Sequence, residues 1–146
     1  MPTRTGRTAW NGGLQDGTGQ VELTSSGAGT FDVSFPKRAA DDADGTTSPE
    51  ELIGAAHSAC YAMSLSNEIA KAGGTPIALD VSADVTLGPD PAGGFQIAGI
   101  ALTVRAEVEG LDAAGFDAAA GAAKVGCPVS KALSAVPITL DAALEG

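Results

Sequence analysis

The sequence is short of several residue types that particular protein classes need. Among its 146 residues only two are cysteines, and only 4% are aromatic. Two cysteines are too few to hold together a disulfide-stabilised secreted domain. With so few aromatic rings, the core must be built mainly from Ala, Val, Ile and Leu. The cysteines are therefore either ordinary buried packing residues or a pair with redox chemistry.

Basic residues and long apolar runs are scarce as well. Eight Lys and Arg face 18 Asp and Glu, for a net charge of −10. That charge disfavours binding to nucleic acid and to an anionic membrane surface. The longest uncharged stretch, Leu52–Asn67, is too short to span a bilayer, and the first residues contain no run of signal-peptide length. We expect a soluble cytoplasmic protein with no membrane partner.

The length predicts one domain over residues 1–146. Alternating apolar and polar residues predict strands over Thr3–Asn11, Gln20–Thr24, Thr30–Phe35, Ile77–Leu87, Phe95–Val108 and Val136–Ala142. Helices are predicted over Pro49–Ala72, Leu111–Lys124 and Pro128–Leu133, and residues 36–47 are predicted to be a polar loop. The resulting order, βββ-α-ββ-α-α-β, predicts an α+β fold.

The first of these helices has the clearest boundaries. Ser48 supplies an N-cap, Pro49 suits the first helical position, and Glu51 stands at the third. Gly73 marks the end. The middle of the helix is apolar or small on nearly every face, so we expect this central helix to be buried inside the fold or at a subunit interface.

The two cysteines have different predicted surroundings. Cys60 lies in the middle of the central helix, where burial raises a thiol pKa and makes the group inert unless a cation reaches it. Cys127 precedes Pro128, so it is expected at the N-cap of a short helix, where a thiolate is favoured. Local physics alone favours Cys127 as the nucleophile, and each cysteine also has an ordinary structural interpretation. The ranking stays open on these grounds.

Arg38 and Glu50 are the candidate activating pair. Arg38 is either a solvated loop residue or a cation that Glu50 holds through a bidentate contact. Glu50 and Cys60 are ten residues apart on one helix, or about 15 Å along it. A shared site then needs a loop that folds back or a second subunit, which favours a homodimer.

His57 precedes Cys60 by one helical turn. With Cys127 the two could ligate a metal, but the spacing differs from that of a zinc finger and a structural zinc site usually has four ligands. We expect a hydrogen-bonded buried histidine and no metal site.

The segments TSPEELIGAAHSACYAMSLS (residues 47–66) and GCPVSKAL (residues 126–133) resemble the osmotically inducible protein C and organic hydroperoxide resistance family. The shared pattern is a helix that opens Pro-Glu-Glu, a cysteine ten residues on and a distant Cys-Pro. The order of elements also agrees, so the resemblance covers essentially the whole chain. The organic hydroperoxide resistance branch carries its arginine in the first hairpin, whereas here no arginine stands between Arg7 and Arg38. The chain therefore looks most like the osmotically inducible protein C branch.

The resemblance implies an intertwined homodimer with sites at the interface. It implies reduction of organic hydroperoxides, and less efficiently of hydrogen peroxide, by a peroxidatic Cys60 and a resolving Cys127. Arg38 matches the activating arginine and Glu50 the acid that holds it, although the acidic run Asp41–Asp44 lengthens the loop after Arg38. No metal or organic cofactor is expected, and an external dithiol such as a lipoyl or thioredoxin-like protein would reset the enzyme.

Two other functions compete with a peroxidase. A disulfide reductase is disfavoured because the cysteines do not form a Cys-X-X-Cys pair. A non-enzymatic, stress-related binding domain would use a hydrophobic interface as its pocket, and both cysteines would then be dispensable.

Overall fold

The computed structural model describes residues 1–145. The strands are β1 (Arg7–Asn11), β2 (Thr18–Glu22), β3 (Thr30–Val33), β4 (Thr75–Pro89), β5 (Phe95–Glu109) and β6 (Ile138–Leu144). The helices are α1 (Phe35–Arg38), α2 (Pro49–Lys71), α3 (Ala113–Gly126) and α4 (Pro128–Ala132). The α+β class is confirmed, and the elements follow the predicted order with one addition, α1.

The chain divides into two compact units, Met1–Leu52 and a second that begins at Ile53. The first contains β1, β2, β3 and α1, together with the first turn of α2. The second contains the rest of α2 and all later elements. The prediction of one domain over residues 1–146 stays a prediction.

The first unit is built on an antiparallel meander in the order β1-β2-β3. Gly19 allows β1 and β2 to approach, because a Cβ there would meet the Ala9 carbonyl oxygen and the Trp10 ring, each at 2.8 Å. Across residues 1–52, all of them described, the only buried positions are Gly17, Gly19 and Glu50. This unit therefore has no apolar core of its own.

The short helix α1 corrects the prediction of a loop over residues 36–47, which is wrong for its first residues. Ser34 caps α1, because its hydroxyl accepts a hydrogen bond from the Lys37 N–H at 3.3 Å, and Pro36 stands in the first turn. A serine N-cap followed by a proline in the first turn is also the signal that predicted α2. Their consequence is that Arg38 ends a helix and does not lie in a flexible loop.

Helix α2 begins as predicted, with the Ser48 hydroxyl accepting from the Glu51 N–H at 3.1 Å, and it ends before Gly73, whose φ is +90°. Its buried positions within the second unit form a stripe: Gly54, His57, Tyr61, Leu65 and Ile69. The opposite side is open, and Met63 there is 74% exposed. The helix is thus part of the core along one stripe, with an apolar face left uncovered.

The sheet of the second unit has the order β4-β5-β6. Strands β4 and β5 form a long antiparallel hairpin that turns at Asp90–Gly94, where the Asp90 N–H donates to the Gly94 carbonyl. Strand β6 pairs with β5 in parallel, because α3 and α4 supply the crossover connection that such pairing needs. One face of β5 buries Leu102, Val104 and Ala106.

The core of the second unit joins that face of β5 to the buried stripe of α2 and to α3. Its buried members are Tyr61, Leu65, Ile69, Leu102, Val104, Ala106, Phe116, Ala119, Ala120, Ala123 and Cys127. The Tyr61 hydroxyl donates to the Ala120 carbonyl at 2.9 Å, so this buried polar group is satisfied. Within residues 1–145, no helix has both the length and the hydrophobicity needed to cross a bilayer.

Candidate active site

Chemically useful side chains form two clusters, one in each unit. The ion-pair cluster consists of Arg38 and Glu50. The thiol cluster consists of Cys60, Cys127, Ser64, Ser130 and His57.

The ion-pair cluster is held by the last residue of α1 and the second residue of α2. Arg38 Nε donates to both oxygens of Glu50, at 3.0 Å and 3.1 Å, and Nη2 donates to Oε1 at 2.6 Å. The Glu50 side chain is 10% exposed and that of Arg38 is 31% exposed. Such a forked, charge-assisted contact fixes the guanidinium plane. Among the described residues, Arg38 Nη1 has no hydrogen-bond partner, so its donors are available to a ligand.

A mostly apolar cavity of about 500 Å³ lies within the first unit beside this arginine. Its lining consists of Thr8, Trp10, Leu14, Val21, Val33, Ser34, Phe35, Arg38, Pro49 and Leu52. Arg38 is the only charged residue of the lining. A cavity of this kind suits a ligand with an alkyl body and one polar end.

The thiol cluster brings together two cysteines that are 67 residues apart in the sequence. Cys60 comes from α2 and is partly exposed, whereas Cys127 stands at the N-cap of α4 and is fully buried. Both are free thiols, Cys60 packs against the core cluster that contains Cys127, and each thiol shifts the pKa of the other. The amide N–H of Val129 acts on both sulfurs. One short turn of helix therefore positions the two sulfurs side by side.

The two thiols are shifted in opposite directions. Burial raises the pKa of the Cys60 thiol, and the neighbouring Cys127 raises it further. Burial also acts to raise the pKa of Cys127, but it is outweighed by hydrogen bonds from the Cys60 thiol, from the amides of Val129 and Ser130 and from the Ser130 hydroxyl, so this pKa is lowered. The surroundings therefore favour a negative charge on Cys127 over one on Cys60.

The position of Cys127 matches the sequence-based expectation for a thiol before Pro128. The Cys127 side chain makes no regular capping hydrogen bond, yet the amides of the first turn of α4 still favour its thiolate. Ser130 and Ser64, which interact with Cys127 and Cys60 respectively, were missed from the sequence. The spacing Cys-Pro-X-Ser, which places a hydroxyl on the first turn, is the signal that could have identified Ser130.

His57 is fully buried and hydrogen-bonded, as expected: its Nε2 lies 2.7 Å from the Ser130 Oγ. Its Nδ1 is buried without a partner. Burial lowers the pKa of His57, so the ring is neutral near pH 7. Within residues 1–145, no group of three or more His, Cys, Asp or Glu side chains is placed to hold a metal ion.

The fold and the paired thiols, one of them disposed to ionise, define the class of a cysteine-based redox protein. The profile of a family described as OsmC-like protein matches residues 41–141. Peroxiredoxin OsmC of Escherichia coli strain K12 is 43% identical over 140 residues, which covers 96% of this chain and 95% of the relative.

Solved structures agree with these matches. The organic hydroperoxide resistance protein OhrB of Bacillus subtilis superposes with a TM-score of 0.75 and 28% identity, covering 95% of this chain and 98% of that one. An organic hydroperoxide resistance protein from Elizabethkingia anophelis gives a TM-score of 0.73 and 26% identity, with 99% of each chain covered.

The chain belongs to the OsmC family. It is a cysteine-based peroxidase, and the resemblance to the osmotically inducible protein C branch is confirmed.

Proposed function

We propose that the chain reduces organic hydroperoxides to alcohols, and hydrogen peroxide less efficiently, with Cys60 as the peroxidatic and Cys127 as the resolving cysteine. The observation that carries the proposal is the contact between a partly exposed sulfur and a fully buried one. A peroxide can reach Cys60 from solvent, whereas Cys127 is closed to it. Two relatives bear names for organic hydroperoxide resistance, which supports the same substrate class.

In the first step Cys60 reacts as its thiolate. Cys60 gives its proton to the neighbouring Cys127 thiolate. The Cys60 sulfur then attacks the distal peroxide oxygen, the O–O bond breaks, and Cys60 becomes a sulfenic acid. The alkoxide that leaves takes a proton and departs as the alcohol. Cys127 supplies the proton for the alkoxide and becomes a thiolate again.

Arg38 is the proposed activating cation. Its Nη1 donors would polarise the peroxide and favour the Cys60 thiolate, while Glu50 fixes the guanidinium plane. The apolar cavity beside Arg38 would take the alkyl body of the substrate.

In the second step the Cys127 thiolate attacks the Cys60 sulfenic sulfur. The S–S bond forms, the S–O bond breaks, and hydroxide leaves to become water. An external dithiol then reduces the disulfide by two successive exchanges and is itself oxidised to a disulfide. A lipoyl or thioredoxin-like protein has the required chemistry. None of these reaction steps uses a metal or an organic cofactor.

A homodimer completes the proposal. The uncovered face of α2 carries Met63, and in the first unit Leu14 is 60% exposed and Trp10 is 42% exposed. Large exposed apolar side chains of this kind are typical of an interface. A symmetric dimer would cover such surfaces on both copies. Light scattering should give twice the mass of the chain, and a monomer at micromolar concentration would contradict this part.

Cysteine variants test the reaction most simply. Cys60→Ser should abolish turnover of tert-butyl hydroperoxide with a small dithiol, because no other thiol is exposed to the peroxide. Cys127→Ser should still consume one equivalent of peroxide and then stop at a sulfenic acid. Ser58→Ala, on the same helix but outside the thiol cluster, is the matched control. Undiminished turnover by Cys60→Ser would refute the proposal.

A further inference from the structure

His57 is the only histidine of the chain, and it is joined to the thiol cluster by one hydrogen bond. Its Nε2 lies 2.7 Å from the Ser130 Oγ, and both side chains are buried, with His57 at 0% and Ser130 at 5% exposure. Ser130 lies in the first turn of α4, whose N-cap is Cys127, and its hydroxyl helps to lower the pKa of that thiol. Ser130 therefore stands between the His57 ring, to which it is hydrogen-bonded, and the Cys127 thiol, which lies one turn before it.

The direction of the hydrogen bonds follows from the number of hydrogens. A serine hydroxyl has one hydrogen to donate and lone pairs with which to accept. If Ser130 donates to His57 Nε2, it cannot stabilise a thiolate at Cys127. If His57 Nε2–H donates to Ser130, the hydroxyl hydrogen is free to point at the sulfur. The tautomer of His57 therefore decides what Ser130 does.

The unpartnered Nδ1 indicates which tautomer is present. This nitrogen is buried and has no hydrogen-bond partner among the described residues. In the first arrangement it would carry a buried N–H with no acceptor, whereas in the second it has only an unused lone pair. Orphaned buried N–H groups are the rarer and costlier case. The second arrangement also directs a donor toward the sulfur on which negative charge resides.

We propose that His57 and Ser130 are positioning residues of the resolving step: the His57 Nε2–H donates to Ser130 Oγ and thereby turns the Ser130 hydroxyl toward Cys127. This inference rests on the proposed role of Cys127 as the resolving cysteine. The directed hydroxyl keeps the charge on the sulfur that must attack the sulfenic acid. In that attack an electron pair of Cys127 forms the S–S bond, and hydroxide leaves from Cys60. Ser130 and His57 take no covalent part in the step.

Ser64 provides a matched control because it interacts with the other sulfur, Cys60. The two serines therefore favour charge on opposite members of the pair. Removing the Ser130 hydroxyl should slow disulfide formation about tenfold and leave sulfenic acid formation equal or faster. Removing the Ser64 hydroxyl should slow sulfenic acid formation instead. General structural damage would slow both steps.

The test is a single-turnover experiment on reduced, full-length protein with tert-butyl hydroperoxide. Sulfenic acid is trapped with a dimedone probe at successive times, and the disulfide is quantified separately. We expect Ser130→Ala to accumulate sulfenic acid, Ser130→Thr to restore disulfide formation, and Ser64→Ala to show the opposite pattern. Equal slowing of both steps by Ser130→Ala, or no effect on either, would overturn the proposal.

His57 variants complete the test. His57→Gln keeps an N–H donor and should retain most of the resolving rate, whereas His57→Leu should behave like Ser130→Ala. Because the chain has one histidine, its ¹⁵N spectrum at pH 7 should show protonated Nε2 and bare Nδ1 without assignment. The reverse tautomer would also overturn the proposal. If the unmodified protein formed no sulfenic acid on Cys60, the proposed function itself would have failed, which is a separate outcome.

Discussion

The first unit, residues 1–52, holds the ion-pair cluster on α1 and the start of α2 and buries no large apolar side chain, whereas the second unit holds the thiol cluster against a packed core. Arg38 is thus fixed by a single forked contact with Glu50. Cys127 is fixed by complete burial and by the helix turn that starts there.

The charged pair and the two sulfurs are thus positioned by different physical means. A substitution in the core should chiefly lower stability, while a substitution in the ion pair should chiefly lower activity.

The largest expected effect is on the core of the second unit. Phe116→Ala removes a fully buried ring and should lower the free energy of unfolding by about 3–5 kcal/mol. Phe31→Ala removes a ring that is 42% exposed in the first unit, and the loss should be below about 1 kcal/mol. Urea unfolding measures both. Equal losses for the two variants would break the comparison.

The next effect concerns Arg38. Arg38→Ala should lower kcat/KM for tert-butyl hydroperoxide about a hundredfold, because it removes the donors that stabilise developing charge on oxygen. It should also raise the pKa of Cys60 further and slow its alkylation. It should also lower the free energy of unfolding, because the buried Glu50 carboxylate then loses its partner, but by less than Phe116→Ala, because Arg38 itself is 31% exposed. Arg38→Lys serves as the control and should restore little, because an ammonium cannot make the forked contact. Unchanged kinetics would remove Arg38 from the mechanism.

A smaller effect is expected at Glu50, which positions Arg38. Glu50→Gln weakens the forked contact and should lower kcat/KM about tenfold. The adjacent Glu51 accepts from the Thr47 hydroxyl at 2.6 Å and touches neither cluster's reacting atoms, so Glu51→Gln is the matched control. Similar losses from both glutamates would show that the helix start matters, and not the guanidinium plane.

The smallest effect concerns pH. Burial holds the pKa of His57 below its ordinary 6.5, so the unfolded chain binds a proton that the folded chain does not. The free energy of unfolding is therefore fully retained above about pH 6.5 and falls as the pH is lowered from there. His57→Gln should lack this component, while the acidic residues contribute equally to both proteins. Parallel stability profiles between pH 5 and 8 would contradict the buried neutral ring.

Much of this architecture could be predicted because local signals were strong. The Ser48 cap and Gly73 set the limits of α2, and alternation revealed the long strands. The same kind of cap signal is present at Ser34, where it indicates the start of α1. The prediction of a loop over residues 36–47 overlooked this signal. The parallel pairing of β6 with β5 depends on contacts distant in sequence, so no local pattern indicated it.

The site was only partly predictable for the same reason. The N-cap position of Cys127 followed from Pro128, whereas the meeting of Cys60 with Cys127 was implied by family resemblance alone. The hydrogen bond between His57 and Ser130 joins residues 73 positions apart, and no local sequence pattern around either residue predicts it. The small residues that surround Cys60 on α2 could not indicate which face would be buried.

The most direct test of the central claim is to add one equivalent of tert-butyl hydroperoxide to the reduced protein and map the product by mass spectrometry without reduction. We expect a Cys60–Cys127 linkage within one chain, formed through a sulfenic acid on Cys60. A product in which Cys127 is oxidised first, or in which Cys60 passes to a sulfinic acid while Cys127 remains a free thiol, would contradict it.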